Sequence, residues 1–163
     1  MMKNQLLTQF DLHHKLYNNV LDGFTDEETN QRLHADSKMN HVKYLAGHLL
    51  NAQYGLAMLA GIDPTIKWDN LFAAAGQSAA RDDIEYPAIE KINREWNGMY
   101  EKTREGLQKL TVEDMDGKPP APADELFPTV GEMWAFLNHH QAYHIGQVGI
   151  LRRGFGKAPM SYD

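Results

Sequence analysis

The feature that most constrains this chain is a pair of histidines, His140 and His144, in a segment whose pattern predicts a helix over residues 129–153. Four residues make about one helical turn, so both rings lie on one face of that helix. The rest of the stripe is mostly apolar, and we expect it to face the core; it consists of Met133, Leu137, Gln147 and Leu151. Buried imidazoles need polar partners, and one divalent metal ion can satisfy two neighbouring rings. Two separately hydrogen-bonded core histidines are an equally open alternative.

Three further helices are predicted from apolar residues at helical spacing, over residues 4–23, 39–59 and 88–109. Four helices with one apolar stripe each close best as an all-α four-helix bundle, and 163 residues suffice for a single domain spanning residues 1–163. Long connections follow the second and third helices, over residues 62–86 and 116–128. The second connection holds four prolines and is predicted to be non-helical.

Several short signals mark the helix ends. Residues 25–28 (TDEE) predict a brief capped helix, and residues 129–132 (TVGE) predict a capping box at the start of the fourth long helix. Ser37 or Asn40 is the expected cap of the second helix, and Gly61 its stop. In the first connection, Trp68 and Phe72 are expected to cover one end of the core, with a pocket mouth as the alternative.

A third histidine, His48, falls on the inward stripe of the second helix near its middle. Its small neighbours Gly47 and Gly55 would permit close approach of another helix. His41 lies two turns earlier, about 10 Å away, which is too far to share an ion whose nitrogen ligands sit at about 2 Å. We therefore interpret His41 as a helix-start residue.

The other histidines are assigned non-ligand roles. His13 falls on the stripe of the first helix without a histidine partner on its face, so a hydrogen-bonded or boundary role is favoured. His34 lies in a polar run and is expected to contact solvent.

Composition excludes several classes of function. The absence of cysteine removes disulfides, thiolate metal sites and a cysteine nucleophile, so any metal must be held by nitrogen or oxygen. A net charge of −6 without a basic cluster argues against nucleic-acid binding. The chain contains no run of about twenty apolar residues, so no membrane-spanning helix is predicted. The first residues contain no apolar signal region, so a cytoplasmic protein is expected.

The stretch from Asn138 to Gln147 (NHHQAYHIGQ), followed by Leu151 and Arg152, resembles the last-helix signature of the DinB/YfiT-like metal-dependent four-helix-bundle family. The tripeptide of residues 47–49 (GHL) resembles the second-helix signature of that family. The resemblance implies a divalent metal ion, zinc or nickel first, with manganese or iron as alternatives. Carried over residue by residue, it makes His48, His140 and His144 the metal ligands, and it gives His139 no such role. It also implies a homodimer.

The function that this resemblance implies is a metal-dependent transferase of small molecules, similar to thiol S-transferases that act with low-molecular-weight thiols, or a hydrolase. No carboxylate stands at a set spacing from the histidines, which disfavours hydrolysis. Gln147, Tyr143 and Tyr44 could orient a ring or a substrate. For Gln147, a satisfied polar residue at the seam of the bundle is an equally open interpretation. Two alternatives stay open: a non-enzymatic stress-response module with a mainly structural ion, and an interaction protein whose histidines are ordinary core residues.

Overall fold

The computed structural model describes residues 2–34, 38–72 and 79–162, and the regular structure in these ranges is helical throughout. In chain order the helices are α1 (Met2–Leu21), α2 (Asp26–Thr29), α3 (Val42–Leu59), α4 (Ile89–Lys109), α5 (Val112–Asp116) and α6 (Val130–Gly154), with a 3-10 helix at Ala123–Glu125. The four long helices pack as a bundle, which confirms the predicted fold class. Within these ranges, no helix combines the length and apolarity needed to cross a membrane.

The helices α3 and α4 run parallel to each other. Their first turns meet at Asp26, whose Oδ1 lies 2.8 Å from Lys43 Nζ and accepts a 2.7 Å hydrogen bond from the Ile89 backbone N–H. At the opposite end, Gly106 of α4 lies against Ala60, just after α3. Two parallel neighbours require a connection that returns along the bundle, which explains the length of the segment between them.

The helices α1 and α6 form the second parallel pair. Asn138 Nδ2 donates a 3.0 Å hydrogen bond to the Leu6 carbonyl, and the Arg152 guanidinium donates to the Val20 carbonyl at 3.3 Å. The earlier residue of α1 contacts the earlier residue of α6, and the later contacts the later, so the two helices run in the same direction.

The helices α3 and α6 are antiparallel neighbours. Leu137, early in α6, packs against Gly55, late in α3. His144, later in α6, meets His48, earlier in α3. This pairing brings the predicted ligands of the two helices to the same level of the bundle.

The core consists of two apolar clusters separated by a layer of buried polar side chains. One cluster includes Phe10 and Trp134, and the other includes Tyr17 and Trp96. Each long helix contributes to the polar layer, which consists of His13, Gln53, Thr103, Asn138 and Gln141.

Most predicted helix ends are confirmed. Thr25 forms a capping box at α2, Thr129 Oγ1 accepts from the Glu132 N–H at 3.1 Å, and Gly61 follows α3 with a φ of +75°. The cap of α3 is neither predicted residue. His41 caps this helix, with Nδ1 accepting from the Tyr44 N–H at 3.0 Å, while Asn40 Oδ1 accepts from the Ala80 N–H. Ser37 lies outside the described residues.

One short helical segment contradicts a predicted connection, and α5 lies mainly in residues for which no element was predicted. The proline-rich segment contains a 3-10 helix, although it was expected to be non-helical. Before it, α5 begins at a capping box in which Thr111 Oγ1 accepts from the Asp114 N–H at 3.1 Å. Helices of three and five residues are too short to show an apolar period, so periodicity does not reveal them.

The buried face of α6 differs from the predicted stripe. Its centre is formed by Trp134, Asn138, Gln141, Ile145 and Val148. Of the predicted stripe, His144 and Leu151 are buried, whereas Met133, Leu137, His140 and Gln147 are half-buried. The predicted stripe therefore lies on the flank of α6, beside α3. No charged residue occurs from 133 to 151, so polarity could not identify the outward face.

Candidate metal centre

The structure brings the three predicted histidines together at the seam between α3 and α6. One ring nitrogen from each of His48, His140 and His144 lies within 4.8 Å of the others. His48 Nε2 and His140 Nε2 lie 3.0 Å apart. That distance suits a hydrogen bond between two neutral rings, and it also suits two nitrogens that share one ion. Their role as metal ligands stays a prediction.

Two of the rings are oriented from behind by hydrogen bonds at Nδ1. His48 Nδ1 lies 3.2 Å from the Phe72 carbonyl oxygen, and His144 Nδ1 lies 2.7 Å from Gln147 Oε1. Since both partners are acceptors, each Nδ1 carries the proton and each Nε2 carries a lone pair. A metal-binding histidine is typically held in this way, with its second nitrogen donating to a carbonyl or carboxylate.

The protonation state also favours metal binding. Partial burial lowers the pKa of His140 to about 4, and repulsion from charge on His144 and His48 contributes to the shift. Burial likewise lowers the pKa of His48 and of His144, although their hydrogen bonds to Phe72 and Gln147 act in the opposite direction. All three rings are therefore neutral at pH 7, the form that can bind a metal.

The cluster is open on one side. His144 is buried, but His48 and His140 are half-buried, so the seam exposes part of the site to solvent. Aromatic rings border it: Phe136 stacks on His140 with ring centres 5.9 Å apart, and Tyr143 meets His144 edge-on at 5.0 Å. Two of the three histidines are therefore partly accessible to solvent.

Phe72 holds the site from the connection between α3 and α4. Its ring is fully buried and covers Gly47, where an added Cβ would stand 2.2 Å from ring atoms. The close approach of another helix that was expected at the small residues of α3 occurs at Gly55, which lies against Leu137 of α6. Phe72 is confirmed as part of the core, while its carbonyl role could not be predicted, because a backbone acceptor leaves no signal in the sequence.

The remaining histidines stand apart from this cluster. His41 is the cap of α3, and His34 and His139 are exposed. His13 is buried in the polar layer beside Gln141. The non-ligand assignments thus agree with these positions. Among the described residues, the grouped donors that could hold an ion are histidines alone, without a carboxylate.

The helical bundle and its histidine cluster define an all-α protein with side chains positioned to hold a metal ion. The chain belongs to the DinB superfamily, whose profile matches residues 9–148. The matched range includes all three histidines. A comparison with curated proteins gave no match.

Proposed function

We propose that His48, His140 and His144 bind one divalent metal ion, zinc or nickel first, through their Nε2 atoms. The observation that carries this proposal is the pair of outward Nδ1 hydrogen bonds to Phe72 and Gln147, which leaves lone pairs directed away from those partners. In a tetrahedral site with metal–nitrogen distances of about 2.0–2.1 Å, ligand nitrogens stand about 3.3 Å apart. His48 Nε2 and His140 Nε2, which are 3.0 Å apart, need only a small adjustment.

The open side of the cluster supports a catalytic role: a metal-dependent transferase acting on a small molecule, similar to a thiol S-transferase. Three protein ligands leave a coordination position for substrate or water. A divalent ion in such a site lowers the pKa of a bound thiol and polarises an electrophile. The chain orients its rings, and the aromatic rings of Phe136 and Tyr143 border the cluster. Since no carboxylate joins the cluster within the described residues, transfer is favoured over hydrolysis.

Metal analysis tests the ligand assignment. Protein purified without a histidine tag should take up zinc or nickel stoichiometrically, and His144→Ala should lose most of its affinity, because two imidazoles chelate less well than three. The matched control is His34→Ala, an exposed histidine that should leave metal uptake unchanged. Equal uptake by both variants, or no uptake by the parent protein, would overturn the proposal.

Calorimetry tests the substrate class. We expect low-molecular-weight thiols to bind the metal-loaded protein and not the metal-free protein, since sulfur is a good ligand for zinc and nickel. A panel of thiols that releases no heat and shows no turnover would contradict the transferase assignment while leaving metal binding intact.

The second candidate is a non-enzymatic module with a structural ion, and the placement of the histidines favours it. His48 belongs to α3, whereas His140 and His144 belong to α6, so a bound ion would tie two antiparallel helices together. This function requires a large loss of stability on chelation and an ion without exchangeable water. Water exchange detected by relaxation measurements on a manganese-loaded sample would exclude it.

A further inference from the structure

The amide pair of Gln53 and Gln141 joins α3 to α6 inside the polar layer. Both side chains are fully buried, and Gln141 Nε2 donates a 3.1 Å hydrogen bond to Gln53 Oε1. The two residues belong to the same two helices that carry the histidine cluster. The pair is therefore a directional contact across the seam on which the candidate metal centre depends.

The amide pair is close in sequence to all three histidines. Gln53 follows His48 by five residues, and Gln141 lies directly after His140 and three residues before His144. On a helix of 3.6 residues per turn, Gln141 points about 100° away from His140 and about 60° from His144. The amide thus faces the core while the rings face the flank, and both move together if α6 rotates or slides.

Apolar packing alone tolerates displacements that a metal site does not. Leu137 against Gly55 is a non-directional contact between the same helices. A slide of α6 by one residue moves its side chains by about 1.5 Å, whereas metal–ligand distances vary by only about 0.2 Å. A buried amide pair loses its hydrogen bond over such a slide, as do the polar pairs that set register in coiled coils.

Stability does not explain the pair. Gln53 Nε2 is buried without a hydrogen-bond partner among the described residues, and Gln141 Oε1, which lies beside His13, has none of good geometry there. Each such atom carries a desolvation cost, so an apolar pair of similar volume would be as stable or more stable. A role in positioning accounts for amides at this place.

We propose that the hydrogen bond between Gln53 and Gln141 sets the register and rotation of α3 against α6, and thereby places His48 opposite His140 and His144. The two glutamines are positioning residues, since they act through the histidines. This inference rests on the proposed metal site for its functional meaning, but it concerns a geometry that exists without metal.

The test is a double variant, Gln53→Met with Gln141→Met, which preserves side-chain length and removes the hydrogen bond. Its thermal stability should equal or exceed that of the parent. In the metal-free protein, the nuclear Overhauser contact between the rings of His48 and His140, whose centres are 4.8 Å apart, should weaken or split. Affinity for zinc should fall by at least about tenfold, the loss typical of disturbed supporting contacts. The absorption spectrum of bound cobalt should change as well.

The matched control is Asn138→Leu. Asn138 is buried one turn from Gln141, but it donates to the Leu6 carbonyl of α1, so it does not join α3 to α6. This variant should keep the ring contacts and the zinc affinity, whatever its stability.

The outcomes separate the two claims. If the parent protein binds no metal, the proposed function is wrong. The contact between the rings of His48 and His140 in metal-free protein would still test whether the amide pair sets the register of the two helices. A double variant with unchanged ring contacts and zinc affinity would overturn the inference. If it does not fold, Gln53→Leu with Gln141→Leu provides a second apolar pair. Unfolding of both would also overturn the inference, because the pair would then be required for folding itself.

Discussion

The side chain of Gln147 determines which nitrogen of His144 is available to a ligand. Its Oε1 accepts the Nδ1 proton at 2.7 Å, and neutral imidazole carries only one proton. Without that acceptor, the two tautomers of His144 would be closer in energy, and one of them directs a proton toward the cluster. The spacing of Gln147, one turn after His144, is visible in the sequence and made this contact one of two open interpretations, which the hydrogen bond now supports.

Replacing Gln147 with leucine should weaken metal binding without breaking the fold. We expect Gln147→Leu to lower zinc affinity by about 10–100-fold, the usual effect of losing a supporting hydrogen bond. Competition with a chromophoric chelator measures this change. The matched control is Gln108→Leu, an exposed position on α4. If both variants bind zinc as the parent does, Gln147 does not orient His144.

At the scale of the helices, the sequence pattern predicted features that depend on neighbouring residues, such as buried helix faces and helix caps. The helix predicted over residues 88–109 is α4, whose buried residues Ile89, Ile92, Trp96 and Thr103 follow helical spacing, and Thr129 caps α6 as its motif indicates. These features depend on residues within one or two turns of each other, so the sequence pattern contains them.

Contacts between distant segments could not be predicted in the same way. The parallel pairing of α3 with α4 depends on Asp26 meeting both Lys43 and Ile89, three residues far apart in the chain. The sequence predicted which histidines form the candidate site, but not where they lie on α6 or which groups hold them. The rings lie on the flank of α6, and a carbonyl from the connection holds His48. The spacing of apolar residues in the sequence indicates neither of these two features.

The cap of α3 should make stability depend on pH. Burial lowers the pKa of His41 from its ordinary 6.5 to about 4. Between these values the unfolded chain binds a proton that the folded chain excludes, so the free energy of unfolding falls as pH falls from 6.5 to 4. A protonated Nδ1 also cannot accept from the Tyr44 N–H.

Asparagine at this position should reduce that dependence. His41→Asn supplies a preferred cap without a titrating group. Urea unfolding of metal-free protein should show a shallower loss of stability between pH 6.5 and 4, with the other buried histidines responsible for the remainder. His34→Asn, at an exposed site, serves as control. The same slope in both variants would show that His41 contributes nothing to it.

Gly47 in α3 allows Phe72 to reach His48. An added Cβ would stand 2.2 Å from the Phe72 ring, which is fully buried and cannot move without disturbing the core. We expect Gly47→Ala to destabilise the fold by about 1–3 kcal/mol, the usual cost of overpacking. The substitution should also weaken zinc binding, because the displaced residue, Phe72, holds His48 through its backbone carbonyl. Chemical unfolding and zinc titration measure the two effects.

The matched control is Gly98→Ala in α4, where an added Cβ has no neighbour within 4 Å among the described residues. Here we expect stabilisation of about 0.5–1 kcal/mol, since alanine favours a helix interior over glycine. Two variants with the same change in stability would mean that the contact with Phe72 is not a constraint.

At the scale of the whole molecule, the topology places the site. Parallel α3 and α4 require a long return segment, and that segment supplies Phe72 to the seam where α3 meets α6. The outer face of α6 exposes Phe136, Tyr143 and Ile150, and the first two contact the rings of His140 and His144. The expected homodimer stays a prediction.

Because the three histidines come from two helices, metal binding should stabilise the whole bundle. A ligand that binds only the folded state at about 100 times its dissociation constant adds about 2.7 kcal/mol, which corresponds to a rise of roughly 5–10 °C in the unfolding midpoint for a chain of this size. Calorimetry with and without zinc measures this shift. His48→Ala should abolish it, since the remaining pair lies within α6 and joins no second helix, whereas His34→Ala should retain it. An equal shift in His48→Ala would mean that the ion does not connect α3 with α6 and would place the stabilising site elsewhere.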